Sequence, residues 1–138
     1  MADPQSLDVL TLMPLCRTLG MATGDSVTRD LVQLSVEWSV PLCTANGLLH
    51  GGAVMALADS AGGACAFLNL PEGAAGTATI ESKTNFFRAV RDGRIVASAR
   101  PLHVGSTTIV IETEVRDDRD KLVAKVTQTQ AVLRPPSG

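Results

Sequence analysis

The feature that most constrains this chain is an apolar stretch at its centre, GGAVMALADSAGGACAFLN, which spans residues 51–69. It contains no proline and is rich in Ala, Leu and Met, and this composition predicts a helix. Apolar side chains fall on nearly every face of that helix, so other elements must wrap it. With 138 residues the chain is long enough to build one such core, and we expect a single domain over 1–138.

The remaining segments predict what wraps the helix. Residues 30–38 alternate between apolar and polar side chains, as in a half-buried strand. Residues 7–19 have helical spacing that is interrupted by Pro14. Four strand segments, separated by short turns, follow the central helix: 77–89, 94–104, 107–116 and 121–133. Together these elements predict an α+β domain in which a curved, antiparallel, five-stranded sheet encloses the helix.

Composition argues against several classes of partner. The 12 Lys and Arg residues and 14 Asp and Glu residues give a net charge of −2, which offers no basic surface for nucleic acid or a membrane. The N-terminus does not resemble a signal peptide, and we expect no apolar run of the roughly 18 residues that a bilayer span needs. No His or Cys cluster has metal-ligand spacing, and Cys16, Cys43 and Cys65 are expected to be reduced. The sequence therefore predicts a cytoplasmic protein without a metal.

The start of the central helix carries candidate site residues. His50 precedes Gly51 and Gly52, and the first backbone N–H groups of a helix lack intrahelical partners. These donors, with the positive end of the helix dipole, favour an oxygen that gains negative charge, and glycine lets a carbonyl approach them. His50 either donates a further hydrogen bond or caps the helix. A simple tight turn into a helix would use the same residues.

Asp59 is the only acid in the apolar stretch and lies eight residues after Gly51. At 1.5 Å per residue this places it about 12 Å from the helix start, whereas a general base acts within about 3 Å or through one water. A second, antiparallel copy of the helix would bring each Asp59 to the other copy's Gly51, which predicts a homodimer with shared sites. The alternative is a structural acid, buried and paired with Ser60 or Lys83.

The stretch NGLLHGGAVMALADSAGG resembles the central motif of the hotdog-fold acyl-CoA thioesterases, in particular the phenylacetate-pathway (PaaI-like) and 4-hydroxybenzoyl-CoA thioesterase group. TIESKTNFFRAV, at 79–90, resembles the strand that follows the helix in this family. The segment VGSTTIVIETEVRDDRDKLVAKVTQTQAVL resembles its last two strands. The resemblance implies the hotdog fold, a homodimer formed through sheet and helix, and a further pairing of dimers into a tetramer.

The same resemblance implies roles for individual residues. The N–H of Gly51, in the His50–Gly51 pair of the motif, would polarise the thioester carbonyl of an acyl-CoA. Asp59 of the partner subunit would act as the base for water, or as the nucleophile. Thr79 matches a position whose hydroxyl orients that water, although a β-branched residue is also ordinary in a strand. Coenzyme A would enter as part of the substrate, and no cofactor is implied.

Other residues are candidates for substrate binding. Gly52 adds a second N–H at the helix start, and Arg88 could bind a phosphate of coenzyme A. The family often has Asn or Gln six residues before the histidine, where this chain has Thr44; Asn46 lies four residues before it. Either Asn46 reaches the carbonyl through a rearranged loop, or Thr44 makes this contact, or the contact is missing.

Two further functions are compatible with such a domain. The first is a non-catalytic module that binds an acyl group or coenzyme A. The second is a hotdog dehydratase, which would need a histidine base with an acid on the neighbouring helix. The spacing of Gly51 and Asp59 argues against the dehydratase, and the presence of both residues favours hydrolysis over binding alone.

Overall fold

A six-stranded antiparallel sheet and one long helix form the body of the protein, whose computed structural model describes residues 8–137. The helices are α1 (Val9–Leu12), α2 (Pro14–Thr18) and α3 (Gly51–Leu68). The strands are β1 (Ala22–Val27), β2 (Val32–Glu37), β3 (Gly76–Phe86), β4 (Arg94–Val104), β5 (Thr108–Arg116) and β6 (Leu122–Leu133). Their order in the sheet is β1-β2-β4-β5-β6-β3, which leaves β1 and β3 at the edges. The ends of the domain predicted over 1–138, and residue 7 of the predicted N-terminal helix, lie outside the described residues.

The sheet curves around α3. The helix packs against five strands, β2 to β6. Five strands at about 4.8 Å spacing span about 19 Å, which is wider than the 10–12 Å diameter of a helix, so a flat sheet could not touch one helix along all five. More than half of the α3 residues are buried. The predicted arrangement of a sheet wrapped around a central helix is confirmed.

The prediction of five strands was wrong by one. β1 was not predicted because its sequence, ATGDSV, is polar and contains a glycine. It lies at the edge of the sheet, where most of its side chains are exposed or half-buried, and its pairing with β2 is irregular. An edge strand with little buried area needs no alternation of apolar residues, so the sequence carries no strand signal there.

The N-terminal helical segment is divided at Met13. The carboxylate of Asp8 accepts a hydrogen bond from the backbone N–H of Thr11 and so caps α1. Pro14 has no N–H and a fixed φ, which suits it to begin α2. The two short helices bury Val9 and Cys16, and α1 also contacts β1.

Helix α3 is long and apolar enough to cross a membrane by length and composition, contrary to the expectation that no such stretch exists. More than half of it is buried within the fold, which is the position of a core helix in a soluble domain. Its apolar character is explained by the sheet that surrounds it.

A bulge in β3 decides which of its side chains face α3. Thr79 pairs with Gln130, but the next pairing advances two residues on β3 for one on β6, so Ile80 is an extra residue. Beyond the bulge, Ser82 pairs with Gln128. Directly opposite residues in an antiparallel pair share a face, and both glutamines are buried under α3. Thr79 and Ser82 therefore face the helix although they are three residues apart.

Candidate active site

One stripe of α3 is left uncovered by the sheet. It contains Gly52, Met55, Asp59 and Phe67, all exposed. Their spacing of three, four and eight residues places them on one face of the helix. Asp59 is therefore not buried within its own chain, which the alternative of a structural acid would require. It faces outward from α3.

A groove of about 290 Å³ runs beside this stripe, and Asp59 and Thr79 both line it. Gln130 forms part of its floor. Most of the remaining wall is apolar and comes from α1, the residues next to it and the C-terminal half of α3: Val9, Leu12, Met13, Ala64 and Phe67. The structure thus brings Asp59 and Thr79 together in a pocket with an apolar wall.

Both groups are held by hydrogen bonds from β6. Gln128 donates through Nε2 to Oδ1 of Asp59 over 3.2 Å. Gln130 donates through Nε2 to Oγ1 of Thr79 over 2.7 Å. The sequence did not identify these two glutamines as site residues, because the segment VTQTQAVL has polar side chains on both faces of a strand. The two-residue period that begins at the buried Val126 would have placed both on the buried face.

Neither Ser60 nor Lys83, the two residues considered as structural partners of Asp59, binds its carboxylate. Ser60 donates its hydroxyl to the carbonyl of Ala56 over 2.7 Å, within its own helix. Lys83 pairs in register with Thr127 and is exposed, on the opposite face of β3 from Ser82. Within residues 8–137, the carboxylate of Asp59 accepts a hydrogen bond from the amide of Gln128 and forms no salt bridge.

At the start of α3, His50 caps the helix and Gly51 has a free donor. Nδ1 of His50 accepts a hydrogen bond from the backbone N–H of Gly52 over 2.7 Å, so the neutral imidazole carries its proton on Nε2. The backbone N–H of Gly51 donates to no acceptor within residues 8–137. A Cβ on Gly51 would lie 3.3 Å from the ring of Phe86. An unpaired N–H at a helix N-terminus, on a residue that has no side chain of its own, is suited to bind a carbonyl oxygen.

The two ends of the candidate site open on different grooves. His50 and Gly52 line a second groove of about 300 Å³, together with Cys43 and the residues next to it. Asp59 and Thr79 line the first groove. Along α3, Gly51 and Asp59 are about 12 Å apart. A single chain therefore does not bring the carboxylate to the helix-start donor.

The loop before His50 is closed on itself. The backbone N–H of Thr44 donates to the carbonyl of Leu48 over 2.7 Å, and Trp38 donates through Nε1 to the carbonyl of Gly47 over 3.0 Å. Asn46 adopts a left-handed conformation, with φ of 64°, and is exposed near the tip of the loop. Both Thr44 and Asn46 lie on the His50 side of the molecule, away from the groove that Asp59 lines.

Arg88 does not lie beside Asp59 or Thr79. It lines a third, smaller groove of about 190 Å³ whose walls carry arginines and aspartates together. Hydrogen bonds, first from the backbone N–H of Lys121, lower the pKa of Asp117, and the charge of Arg88 contributes to this lowering. Arg88 follows Phe86, whose ring lies against Gly51, so it belongs to the helix-start side of the site.

Burial disfavours a thiolate nucleophile at one of the three cysteines, Cys65. All three are free; Cys16 and Cys65 are buried. Burial raises the pKa of the Cys65 thiol to about 12, so this thiol stays protonated near neutral pH. Within residues 8–137, no group of three or more His, Cys, Asp or Glu side chains could hold a metal ion.

Relatives of known name agree with this geometry. The profile of the thioesterase superfamily matches residues 46–124. A putative esterase of Vibrio cholerae is 32% identical over 109 residues, which cover 76% of this chain and 72% of the relative. The 1,4-dihydroxy-2-naphthoyl-CoA hydrolase of Escherichia coli is 37% identical over 87 residues, which cover 63% of each chain.

Solved structures agree as well. A mutant thioesterase from Pseudomonas aeruginosa is similar with a TM-score of 0.85 and 27% identity, over 96% of this chain and 95% of that one. A thioesterase from Haemophilus influenzae is similar with a TM-score of 0.83 and 25% identity, over 97% and 96%. The matched profile spans the helix with its glycines and Asp59, and the sheet around that helix is the one found in these enzymes. The chain is therefore a hotdog-fold member of the thioesterase superfamily.

Proposed function

We propose that this protein hydrolyses an acyl-CoA thioester to the free acid and coenzyme A, in sites that two copies of the chain share. The observation that carries the proposal is the arrangement of α3. The free N–H of Gly51 and the carboxylate of Asp59 lie about 12 Å apart on this helix. Asp59 lines the first groove, whereas the two neighbours of Gly51, His50 and Gly52, line the second. The similarity to a named acyl-CoA hydrolase supports the substrate class.

The uncovered stripe fits a second copy of α3. Gly51, Met55 and Asp59 follow one another at intervals of four residues, so they lie on one face of the helix. When two antiparallel copies meet with Met55 opposite Met55, each Asp59 lies beside the Gly51 of the partner helix. Met55 is 40% exposed, although it is a large apolar side chain. Its burial would supply part of the energy of association.

The free edge of β3 supports the same assembly. No strand within residues 8–137 pairs with its outer side, and an unpaired strand edge readily accepts another strand. Ile80, Phe86 and Phe87, on or just after this strand, are 63%, 49% and 57% exposed. A second copy across this edge would cover both the backbone groups and these apolar side chains. We further expect two dimers to pair into a tetramer, as in the family that the sequence resembles.

In the proposed reaction, the thioester oxygen accepts a hydrogen bond from the N–H of Gly51 at the positive end of α3. Oδ2 of the partner subunit's Asp59 takes a proton from a water molecule, whose oxygen forms a bond to the carbonyl carbon. The hydroxyl of the partner subunit's Thr79, which lines the same groove as that Asp59, donates to this water. The carbon–sulfur bond then breaks, and Asp59 returns the proton to the sulfur of coenzyme A. This route needs no cofactor.

The walls of the grooves suggest how the substrate lies. The apolar side of the first groove, from Val9, Leu12, Met13 and Phe67, suits an apolar acyl group next to Asp59. The coenzyme A portion would then extend past the helix start, toward Thr44, Asn46 and Arg88. In this orientation the acyl chain is buried and the phosphates stay in solvent, as their charge requires.

A hydrolysis screen tests the activity. Purified protein is assayed with aromatic, short, medium and long acyl-CoAs, and release of the thiol is followed. We expect turnover of at least one apolar acyl-CoA. Binding of coenzyme A without turnover of any substrate would contradict hydrolysis and favour the non-catalytic binding module.

A subunit-mixing experiment tests the shared site. Asp59→Asn and Gly51→Val chains are each inactive in the proposal, but a mixed dimer contains one site with both changes and one with neither. Equal mixing makes half of the dimers mixed, so about a quarter of wild-type activity should return. Absence of recovery after subunit exchange, verified by mass spectrometry, would contradict sharing.

A crosslinking experiment tests the register of the two helices. Met55→Cys chains treated with a short bis-maleimide should give covalent dimers, because the two cysteines face each other across the symmetry axis. Val40→Cys is the control, since Val40 is 74% exposed and lies in the loop that precedes α3. Equal crosslinking of both variants, or none at Met55→Cys, would contradict this register.

A further inference from the structure

Two glutamines on β6 lie buried beneath the groups that the proposed reaction uses. Gln128 and Gln130 are 0% and 2% exposed. They are two residues apart on one strand, so their side chains point to the same side of the sheet, about 7 Å apart. One donates to Asp59 and the other to Thr79. A single rigid strand therefore contacts both groups.

The chemistry of each contact fixes an orientation. An ionised carboxylate only accepts hydrogen bonds, so Gln128 must present its NH₂ to Asp59. Oδ1 of Asp59 is then occupied and Oδ2 is left for a reacting water. Since Oγ1 of Thr79 accepts from Gln130, the hydroxyl proton of Thr79 must point elsewhere, which leaves it available to donate into the groove.

Stability does not explain Gln128. Its Oε1 is buried and has no hydrogen-bond partner within the described part of the chain, and an unpaired buried acceptor costs free energy. The amide oxygen fits only because position 62 is glycine: a Cβ on Gly62 would lie 1.7 Å from Oε1. A methionine has similar length, packs among apolar neighbours and leaves no unpaired atom. The chain therefore keeps a destabilising side chain in contact with Asp59.

We propose that Gln128 and Gln130 are positioning residues that hold the carboxylate of Asp59 and the hydroxyl of Thr79 in their reacting orientations. This inference rests on the proposed thioester hydrolysis. Each acts through the group to which it donates: Gln128 does not line the groove, and Gln130 forms part of its floor beside Thr79. Gly62 contributes to this positioning, because its lack of a side chain leaves space for the amide of Gln128.

The variants Gln128→Met and Gln130→Met test the proposal, with the acyl-CoA that the wild type hydrolyses fastest. We expect kcat to fall about 10- to 100-fold, because a small misplacement of a reacting group has effects of this size. In Gln128→Met, KM should change less than about twofold, since Gln128 does not line the groove in which the acyl group lies. The melting temperature of Gln128→Met should stay the same or rise, whereas a structural glutamine would lower it when replaced.

Gln33→Met is the matched control. Gln33 also donates through Nε2 to a side chain, the hydroxyl of Ser98, over 3.1 Å. It lies on β2, away from the groove of Asp59. The same chemical change there should leave kcat within about twofold of the wild type. An equal fall of kcat in Gln33→Met would overturn a specific role for the β6 glutamines.

Gly62→Ala displaces Gln128 without changing it, and provides an independent second variant. The new Cβ would collide with Oε1 and push the amide away from Asp59, so kcat should fall as in Gln128→Met. In a Gln128→Ala background the same substitution should cause no further loss, because no amide is left to displace. Losses that multiply in the double variant would overturn the link between Gly62 and Gln128.

The outcomes separate this inference from the proposed function. A wild-type protein without turnover on any acyl-CoA overturns both. An active wild type with unchanged kcat in Gln128→Met overturns the positioning role and leaves hydrolysis standing. A fall of kcat with retained KM and an equal or higher melting temperature supports both.

Discussion

Two halves of the sheet, β4 with β5 and β6 with β3, differ in the polarity of the side chains that they bury under α3. On β4 and β5 most of the buried side chains are hydrocarbon: Ile95, Ala97, Ala99, Ile109, Ile111 and Val115. On β6 and β3 the face toward α3 carries Gln128, Gln130, Thr79 and Ser82 in addition to the apolar Val126. The apolar half packs like any protein core, and the polar half lies beneath the uncovered stripe of α3. The difference indicates that one half of the sheet supplies stability and the other half positions chemical groups.

Asp59→Asn should have the largest effect and tests the polar half. Asparagine keeps an oxygen that can accept from Gln128 but removes the base, so the fold should persist. Loss of a positioned base lowers rates about 10²–10⁴-fold, and we expect kcat to fall at least 100-fold with KM little changed. Enzyme kinetics and a thermal melt check this. Near-normal turnover would make Asp59 structural and remove the distinction between the halves.

Ile95→Ala tests the apolar half. Ile95 is fully buried on β4, and removing such a side chain costs about 2–5 kcal/mol through lost burial and the cavity left behind. Urea denaturation should show this loss. The kcat of the folded protein should remain close to the wild-type value, because β4 contributes no side chain to the groove of Asp59. A large fall of kcat in folded Ile95→Ala would contradict the assignment of the apolar half to stability alone.

Gly51→Val tests the helix start, which lies beside Phe86 at the end of β3. The backbone of Gly51 is not left-handed, so valine can adopt it, and the half-exposed ring of Phe86 can move away. Blocking the donor should lower kcat about 100-fold, as the loss of an oxyanion donor does. The same fall in a Phe86→Leu background would show that the blocked N–H, and not the displaced ring, is responsible.

His50→Ala should have the smallest effect. Loss of a helix cap costs about 1 kcal/mol of stability, and we expect kcat to change less than tenfold. His50→Asn restores a capping oxygen while removing Nε2, and should recover the stability lost in His50→Ala. An Asn variant that is stable but inactive would give His50 a direct role at the carbonyl.

Much of the fold is predictable because local sequence and burial agree. The apolar stretch of 51–69 closely matches α3, and the alternating segments 94–104 and 121–133 match β4 and β6 to within a residue. β1 was missed because an exposed edge strand needs no apolar pattern. Exposure also separates the two alternatives that the sequence left open for Asp59, because the apolar run does not say which stripe of α3 the sheet leaves uncovered.

The candidate site is less predictable than the fold. Asp59 and Thr79 could be named from a motif, and the structure brings them into one groove. Gln128 and Gln130 could not, because their role depends on a side chain 69 residues away in the first case and 51 in the second. The bulge at Ile80 is a property of two strands in register, and it has no signature in either strand alone.

That bulge also bears on which changes of length the chain can tolerate. If Ile80 were deleted, Thr79 would still pair with Gln130 and Ser82 with Gln128, and β3 would simply become regular. Loss of one residue between Ser82 and Phe86 would instead turn the following side chains to the opposite face. Loss of the codon for Ile80 should therefore cost little in structure. A one-codon deletion further along β3 would instead exchange the inner and outer faces at the end of the strand.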